Sequence, residues 1–199
     1  MIQAKELIEI EKDIQNCELC DGLTKLNCNT ISYGSNTDIL FVGESPAKNG
    51  WLLTGRAFYD ANDKLLPTGR ILNELLKILD LTIDEITFTE ACKCHIPDRK
   101  LLTQTSINCL KFLQQQILEL NSKIIVPLGE HPTRILISEK FSKFGDVVGR
   151  VFETNLDGKD IVIIPIYHPS PINPKGYRDN VEIFETIKEQ LVLRKVKQR

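Results

Sequence analysis

Six cysteines and three histidines in 199 residues stand in groups whose spacing bears on chemistry. Cys17 and Cys20 are separated by two residues, which lets both sulfurs point at one ion. Cys94 and Cys109 bracket a loop and the start of a helix, and four thiolates of this kind suit zinc or an iron-sulfur cluster. Cys92 lies two residues before Cys94, on the same face of a continuing strand, so spacing leaves both open as ligands. Cys28 reads as a buried small hydrophobe. The segment Gly43 to Phe58 begins Gly-Glu-Ser-Pro-Ala directly after an apolar run, a tight turn that brings backbone amides close to a ligand. The segment Tyr167 to Gly176 has His168 followed by Pro169, Pro171 and Pro174, a rigid backbone that fixes where the imidazole points.

The elements that must position these groups follow from hydrophobic period. Residues 3–15 carry Leu7, Ile10 and Ile14 at helical spacing and deliver the chain to Cys17. Continuous apolar runs at 38–43, 86–91, 123–129 and 160–167 predict four buried strands. Between them, helices are expected after Pro67, from about Thr105, from near His131, and over 179–193. Strands alternating with helices predict an α/β fold of one domain, 1–199, in three layers, with a central, mostly parallel, four-stranded sheet. Ligands of such folds sit beyond the carboxyl ends of the strands. That rule selects the loops 43–58, 91–100, 128–132 and 167–178, where nearly every unusual residue group is found.

Composition narrows the class. With 42% hydrophobic and 26% charged residues the chain matches globular proteins, and no apolar stretch approaches the roughly 20 residues that span a bilayer. The N-terminal residues lack the apolar centre of a signal peptide, so a cytoplasmic protein without membrane attachment is expected. Twenty-five Lys and Arg against 27 Asp and Glu provide no global basic field, so contact with nucleic acid must be local. Arg194, Lys195, Lys197 and Arg199 read as the solvated end of a helix.

Taken in order, CxxC, GESPA with TGRAF, Lys93-Cys94 with Cys109, Val126-Pro-Leu-Gly129 and YHPSP resemble the uracil-DNA glycosylase superfamily. Within it they resemble the iron-sulfur family 4 and family 5 enzymes of bacteria and archaea, over about Cys17 to Phe184. Ala47 looks like the Pro-Ala of family 5 where family 4 has Gly, and Glu90 stands where both families carry Asn.

The resemblance implies a monomeric base-excision repair enzyme, a monofunctional hydrolase acting on DNA that contains a deaminated base. It implies a structural [4Fe-4S] cluster on Cys17, Cys20, Cys94 and Cys109. It gives His168 the role of donor to the departing base, Glu44 or Asp60 that of a carboxylate near the sugar, and Phe58 that of a stacking face. Gly43, Ser45 and Ala47 would present amides to the base. Arg56, Lys93, Ser170, Pro171, Lys175 and Arg178 would meet the DNA. Glu90 either orients water or reads a base edge. Two rivals are a superfamily member that binds DNA or a base without turnover, and a zinc-stabilised nucleotide-binding module.

Overall fold

A computed structural model describes residues 5–196; Lys197 and Arg199 lie outside them. In chain order the elements are α1 (Lys5–Gln15), β1 (Thr24–Lys25), β2 (Ile31–Ser32), β3 (Asn36–Gly43), α2 (Trp51–Thr54), α3 (Pro67–Leu76), β4 (Ile86–Glu90) and β5 (Cys94–His95). There follow α4 (Leu102–Leu120), β6 (Ile124–Pro127), α5 (Glu130–Leu136), β7 (Phe152–Leu156), β8 (Lys159–Ile163), α6 (Lys175–Arg178) and α7 (Asn180–Val196). None of the described helices is long and apolar enough to cross a membrane.

The main sheet runs β2-β4-β3-β6-β8-β7. Its four inner strands are parallel and are the four apolar runs of the sequence. It has six strands rather than four, because β2 and β7 join the edges antiparallel. Neither has an apolar run to announce it: β2 is two residues long, and β7 reads Phe-Glu-Thr-Asn-Leu with an exposed polar centre. The fourth inner strand is also shorter than expected, ending at Ile163 before Pro165. The chain nevertheless stays alongside β6, with Ile166 N–H donating to Pro127 O at 3.1 Å.

Alternation along β3 divides the core in two. Ile39 and Phe41 face a layer in which Leu72 and Leu75 of α3 meet Phe184 and Ile187 of α7. Leu40 and Val42 face α1 and α4 through Ile14, Leu113 and Ile117. Inner strands buried on both faces need a helical layer on each side, which gives three layers. Helix α4 begins at Leu102, three residues before the expected start, and its Ile107 points outward, 55% exposed.

Register sets the carboxyl ends level. Gly43 of β3 pairs with Glu90 of β4, and Val42 with Pro127 of β6. Beyond Pro165, the buried Asn180 side chain holds the chain by accepting from Tyr167 N–H at 2.9 Å. It also donates to Tyr167 O at 2.8 Å and to Gly176 O at 2.9 Å. These bonds fix the backbone on which His168 follows.

Candidate active site at the carboxyl ends of the strands

A cavity of about 580 Å³ opens where the four inner strands end. Its walls are the Gly43–Ala47 turn, Trp51 and Phe58, Glu90, the segment Gly129–His131, and His168 with Ser170 to Asn173. His95 Nδ1–H donates to Pro46 O at 2.9 Å, and Cys92 N–H to Glu44 O at 3.0 Å, so the turn is pinned from the β4 side. Phe58 adopts φ +68°, uncommon for a residue with a side chain, and its ring lies 4.5 Å from that of Phe88, tilted by 55°. An aromatic face in a strained backbone at a cavity wall is a feature of ligand sites. Gly69 packs closely against it, since a Cβ on Gly69 would come within 2.9 Å of Phe58 Cβ.

His168 is exposed to the cavity and braced from behind. A Cβ on Gly129, itself at φ +97°, would lie 3.2 Å from His168 Cβ, and one on Gly176 would lie 2.7 Å from His168 O. That oxygen accepts from Ser170 N–H at 2.8 Å and from Asn173 Nδ2 at 3.2 Å. Desolvation lowers the imidazole pKa below its usual value, with Glu44 acting in the other direction. A second histidine was missed by the sequence reading. His131, in the first turn of α5, lines the same cavity with Nε2 2.6 Å from Ser106 Oγ. Its position two residues past Gly129 was the available signal.

Two carboxyls occupy contrasting places. Glu44 stands at the mouth, gripped by both terminal guanidinium nitrogens of Arg99 at 2.8 and 3.0 Å. Glu90 lies on the floor at 9% exposure, and its Oε2 has no hydrogen-bond partner. A Cβ on Gly43 would come within 2.1 Å of that oxygen, so only glycine leaves the Glu90 carboxyl its space. Burial pushes Glu90 up to about 8, Lys93 opposing the shift and Glu44 adding to it.

Three of the expected site residues stand elsewhere. Asp60 is not in the cavity: it accepts the backbone N–H groups of Asn62 and Lys64 at 2.8 and 3.0 Å, closing a surface turn, and those bonds hold its pKa below the usual value. Lys93 cannot reach DNA, being 2% exposed, with Nζ on Thr89 Oγ1 at 2.8 Å, Glu90 O at 2.6 Å and Gln116 Oε1 at 2.6 Å. Arg56 faces away from the cavity, lies over the Tyr59 ring and pairs with Asp63 and Asp84. Sequence adjacency to a motif does not tell which way a side chain leaves the backbone. Ser170 lines the cavity, while Pro171, Lys175 and Arg178 are exposed on the loop and short helix beside it.

Cys17, Cys20, Cys94 and Cys109 line one small cavity, shared with Lys25 and Asn108. Antiparallel pairing of β1 with β5 sets Lys25 opposite Cys94, and Lys25 Nζ donates to Gln15 O at 2.7 Å and Cys17 O at 2.8 Å, drawing the CxxC segment in. Burial pushes the Cys94 thiol up to about 12, and the nearby Cys109, Cys20 and Cys17 push the same way. Lys93 N–H reaches Cys109 Sγ at 3.4 Å and Asn108 Nδ2 reaches Cys20 Sγ at 3.3 Å. Cys92 turns aside to Ser106 Oγ at 3.0 Å, and Cys28 packs beside the α3 core. All six cysteines are free. Among the described residues no group of three or more His, Cys, Asp or Glu is already arranged to hold a metal ion. The donor set itself, four unpaired thiols with N–H groups directed at two of the sulfurs, fits a thiolate-bound metal centre.

A sequence model described as the uracil DNA glycosylase superfamily matches residues 31–192. The chain belongs to the uracil DNA glycosylase superfamily. Its relatives include the Type-4 uracil-DNA glycosylase of Saccharolobus solfataricus, 30% identical over 190 residues that cover 92% of this chain and 85% of the relative. The Type-4 uracil-DNA glycosylase of Sulfurisphaera tokodaii is 31% identical over 192 residues, covering 92% and 84%. That of Archaeoglobus fulgidus is 29% identical over 174 residues, covering 84% and 83%. The superfamily match spans all four inner strands, and so every wall of the cavity.

The unpartnered Glu90 makes a stability prediction. Its folded pKa of about 8 lies above the usual carboxyl value of 4.5. Between those values the folded chain holds a proton that the unfolded chain has lost, so this group makes stability fall as pH rises. Glu90→Gln removes the slope. Its melting temperature relative to the parent should therefore climb between about pH 5 and pH 8, read by calorimetry at matched ionic strength; parallel curves would contradict the assignment.

Proposed function

We propose that this superfamily member hydrolyses the N-glycosidic bond of uracil in DNA, acting as a monomer in cytoplasmic base-excision repair. The observation that carries the reading is the convergence of Glu44, Phe58 and His168 on one cavity in a chain that aligns almost end to end with Type-4 uracil-DNA glycosylases. Breaking this bond puts positive charge on the sugar and negative charge on the oxygens of the departing base. The site must therefore stabilise both. In this reading His168 donates to a base oxygen, its neutral imidazole still carrying an N–H. The Glu44 carboxylate, held by Arg99, faces the sugar and orients the attacking water. The target base leaves the duplex and stacks on Phe58, with the Gly43–Ala47 backbone against its edge.

The DNA would lie across the 170–178 loop. Ile172 is 90% exposed beside Pro171 at the cavity rim, the type and place of an apolar wedge. Lys175, whose Nζ rests on Tyr167 OH, and Arg178, paired with Asp179, are exposed on α6 and would exchange these surface contacts for phosphates. Cys17, Cys20, Cys94 and Cys109 would hold a [4Fe-4S] cluster. Its chemistry here is that of a thiolate-bound staple, tying the segment after α1 to β5 and α4.

Two experiments test this reading. His168→Ala should slow single-turnover release of uracil by about 100- to 1000-fold, the usual loss on removing a donor preorganised for developing charge, while DNA affinity stays near the parent's. Undiminished release would refute the role. Cys94→Ser should lose iron and soluble yield, whereas Cys92→Ser should keep both; the opposite pattern would exchange the two assignments.

A further inference from the structure

Glu90 is a polar group without a hydrogen-bond partner, nine-tenths buried, at the floor of a cavity that has an aromatic wall. Such a group costs stability unless something entering the cavity satisfies it. Lys93, the nearest cation, does not: its Nζ is taken by Thr89, Gln116 and the backbone oxygen of Glu90. Nor does Arg99, which is spent on Glu44 at the mouth. The other charged or titratable groups around the same cavity are Glu44, which disfavours a second negative charge, Glu130, which is paired with Arg134, and His131 and His168. Oε2 occupies the space that a side chain on Gly43 would fill, since a Cβ there would lie 2.1 Å from it.

These surroundings disfavour an ionised Glu90. An ionised carboxylate has only acceptors and would face the carbonyl oxygen of a base unfavourably. A protonated carboxyl has a donor and an acceptor side by side. The two carboxyls thus divide by environment, one paired at the rim and one unpaired in a dry floor, which separates their chemical roles.

Building on the glycosylase reading, we propose that Glu90 meets the extracted base as a neutral carboxylic acid. Its hydroxyl donates to a ring carbonyl and its other oxygen accepts from the adjacent ring N–H. The site then selects bases that carry this carbonyl and N–H edge, which uracil and hypoxanthine share, and a cavity of about 580 Å³ admits either ring size. Glu90 is a specificity residue in this account, and the water-orienting carboxylate is Glu44.

The test is binding of free bases, independent of bond cleavage. Uracil is titrated calorimetrically into the parent and into Glu90→Gln between pH 6.5 and 9.5, so that uracil's own ionisation is common to both. Relative to the variant, parent affinity should fall about tenfold per pH unit once Glu90 ionises, because only the neutral fraction is competent. Hypoxanthine should compete with uracil on the parent, and 1,3-dimethyluracil, which lacks both ring N–H groups, should not. A pH-independent ratio between the proteins, or 1,3-dimethyluracil competing as well as uracil, would overturn the proposal. A parent that excises uracil from DNA but shows neither effect refutes the role of Glu90 alone. A parent that shows both effects but excises nothing refutes the glycosylase reading alone.

Discussion

The register between β3 and its two parallel neighbours is the constraint on which the site depends. Because Gly43 pairs with Glu90 and Val42 with Pro127, three strands end at one level and their loops must leave on the same side of the sheet. A one-residue slip of β3 would turn Phe41 into the α1 and α4 layer and Leu40 out of it, destroying both cores at once. The same pairing puts the Glu90 carboxyl above a residue that must lack a side chain. Gly43 therefore serves the turn and the cavity floor together.

Beneath that floor a buried polar chain joins the cysteine cavity to the site. Lys93 donates its backbone N–H to Cys109 Sγ and its ammonium to Gln116, whose Nε2 reaches Thr30 Oγ1 at 2.7 Å. Thr30 in turn bonds both oxygens of Glu11 on α1, at 2.8 and 2.9 Å. Burial lowers the Lys93 pKa to about 8, with Cys109 as the leading opposing influence, so its bonds to Thr89, Gln116 and Glu90 O are the compensation for a cation held out of water. Losing any partner would leave buried polar groups unsatisfied on both sides of β4. This explains how the N-terminal helix, far from the cavity in sequence, contributes to the position of Glu90.

The inner sheet was legible because strands buried on both faces read as continuous apolar runs, and the loops that follow them held the motifs. Edge strands β2 and β7 were not legible, since one is too short and the other too polar to show a period. The Gly43–Ala47 turn and His168, which line the cavity, stood out because Gly, Pro and a strand-end His have distinct local signatures, whereas Phe58, on the same wall, was marked only by the family resemblance. Lys93, Arg56 and Asp60 were misplaced for one physical reason. Each sits beside a motif, and whether a side chain enters the cavity, the core or a surface turn depends on tertiary partners such as Gln116, Asp84 and the amide of Lys64. Spacing alone left Cys92 and Cys94 equivalent; the β1–β5 pairing and the Ser106 hydroxyl separate them.

The most direct measurement of the central claim follows both products of one reaction. The folded protein is incubated with an oligonucleotide containing a single uracil, and strand and small molecules are weighed by mass spectrometry. The account predicts free uracil and an unbroken strand carrying one abasic site in equal amounts. An intact strand that still contains its uracil, after incubation with folded protein, would contradict it.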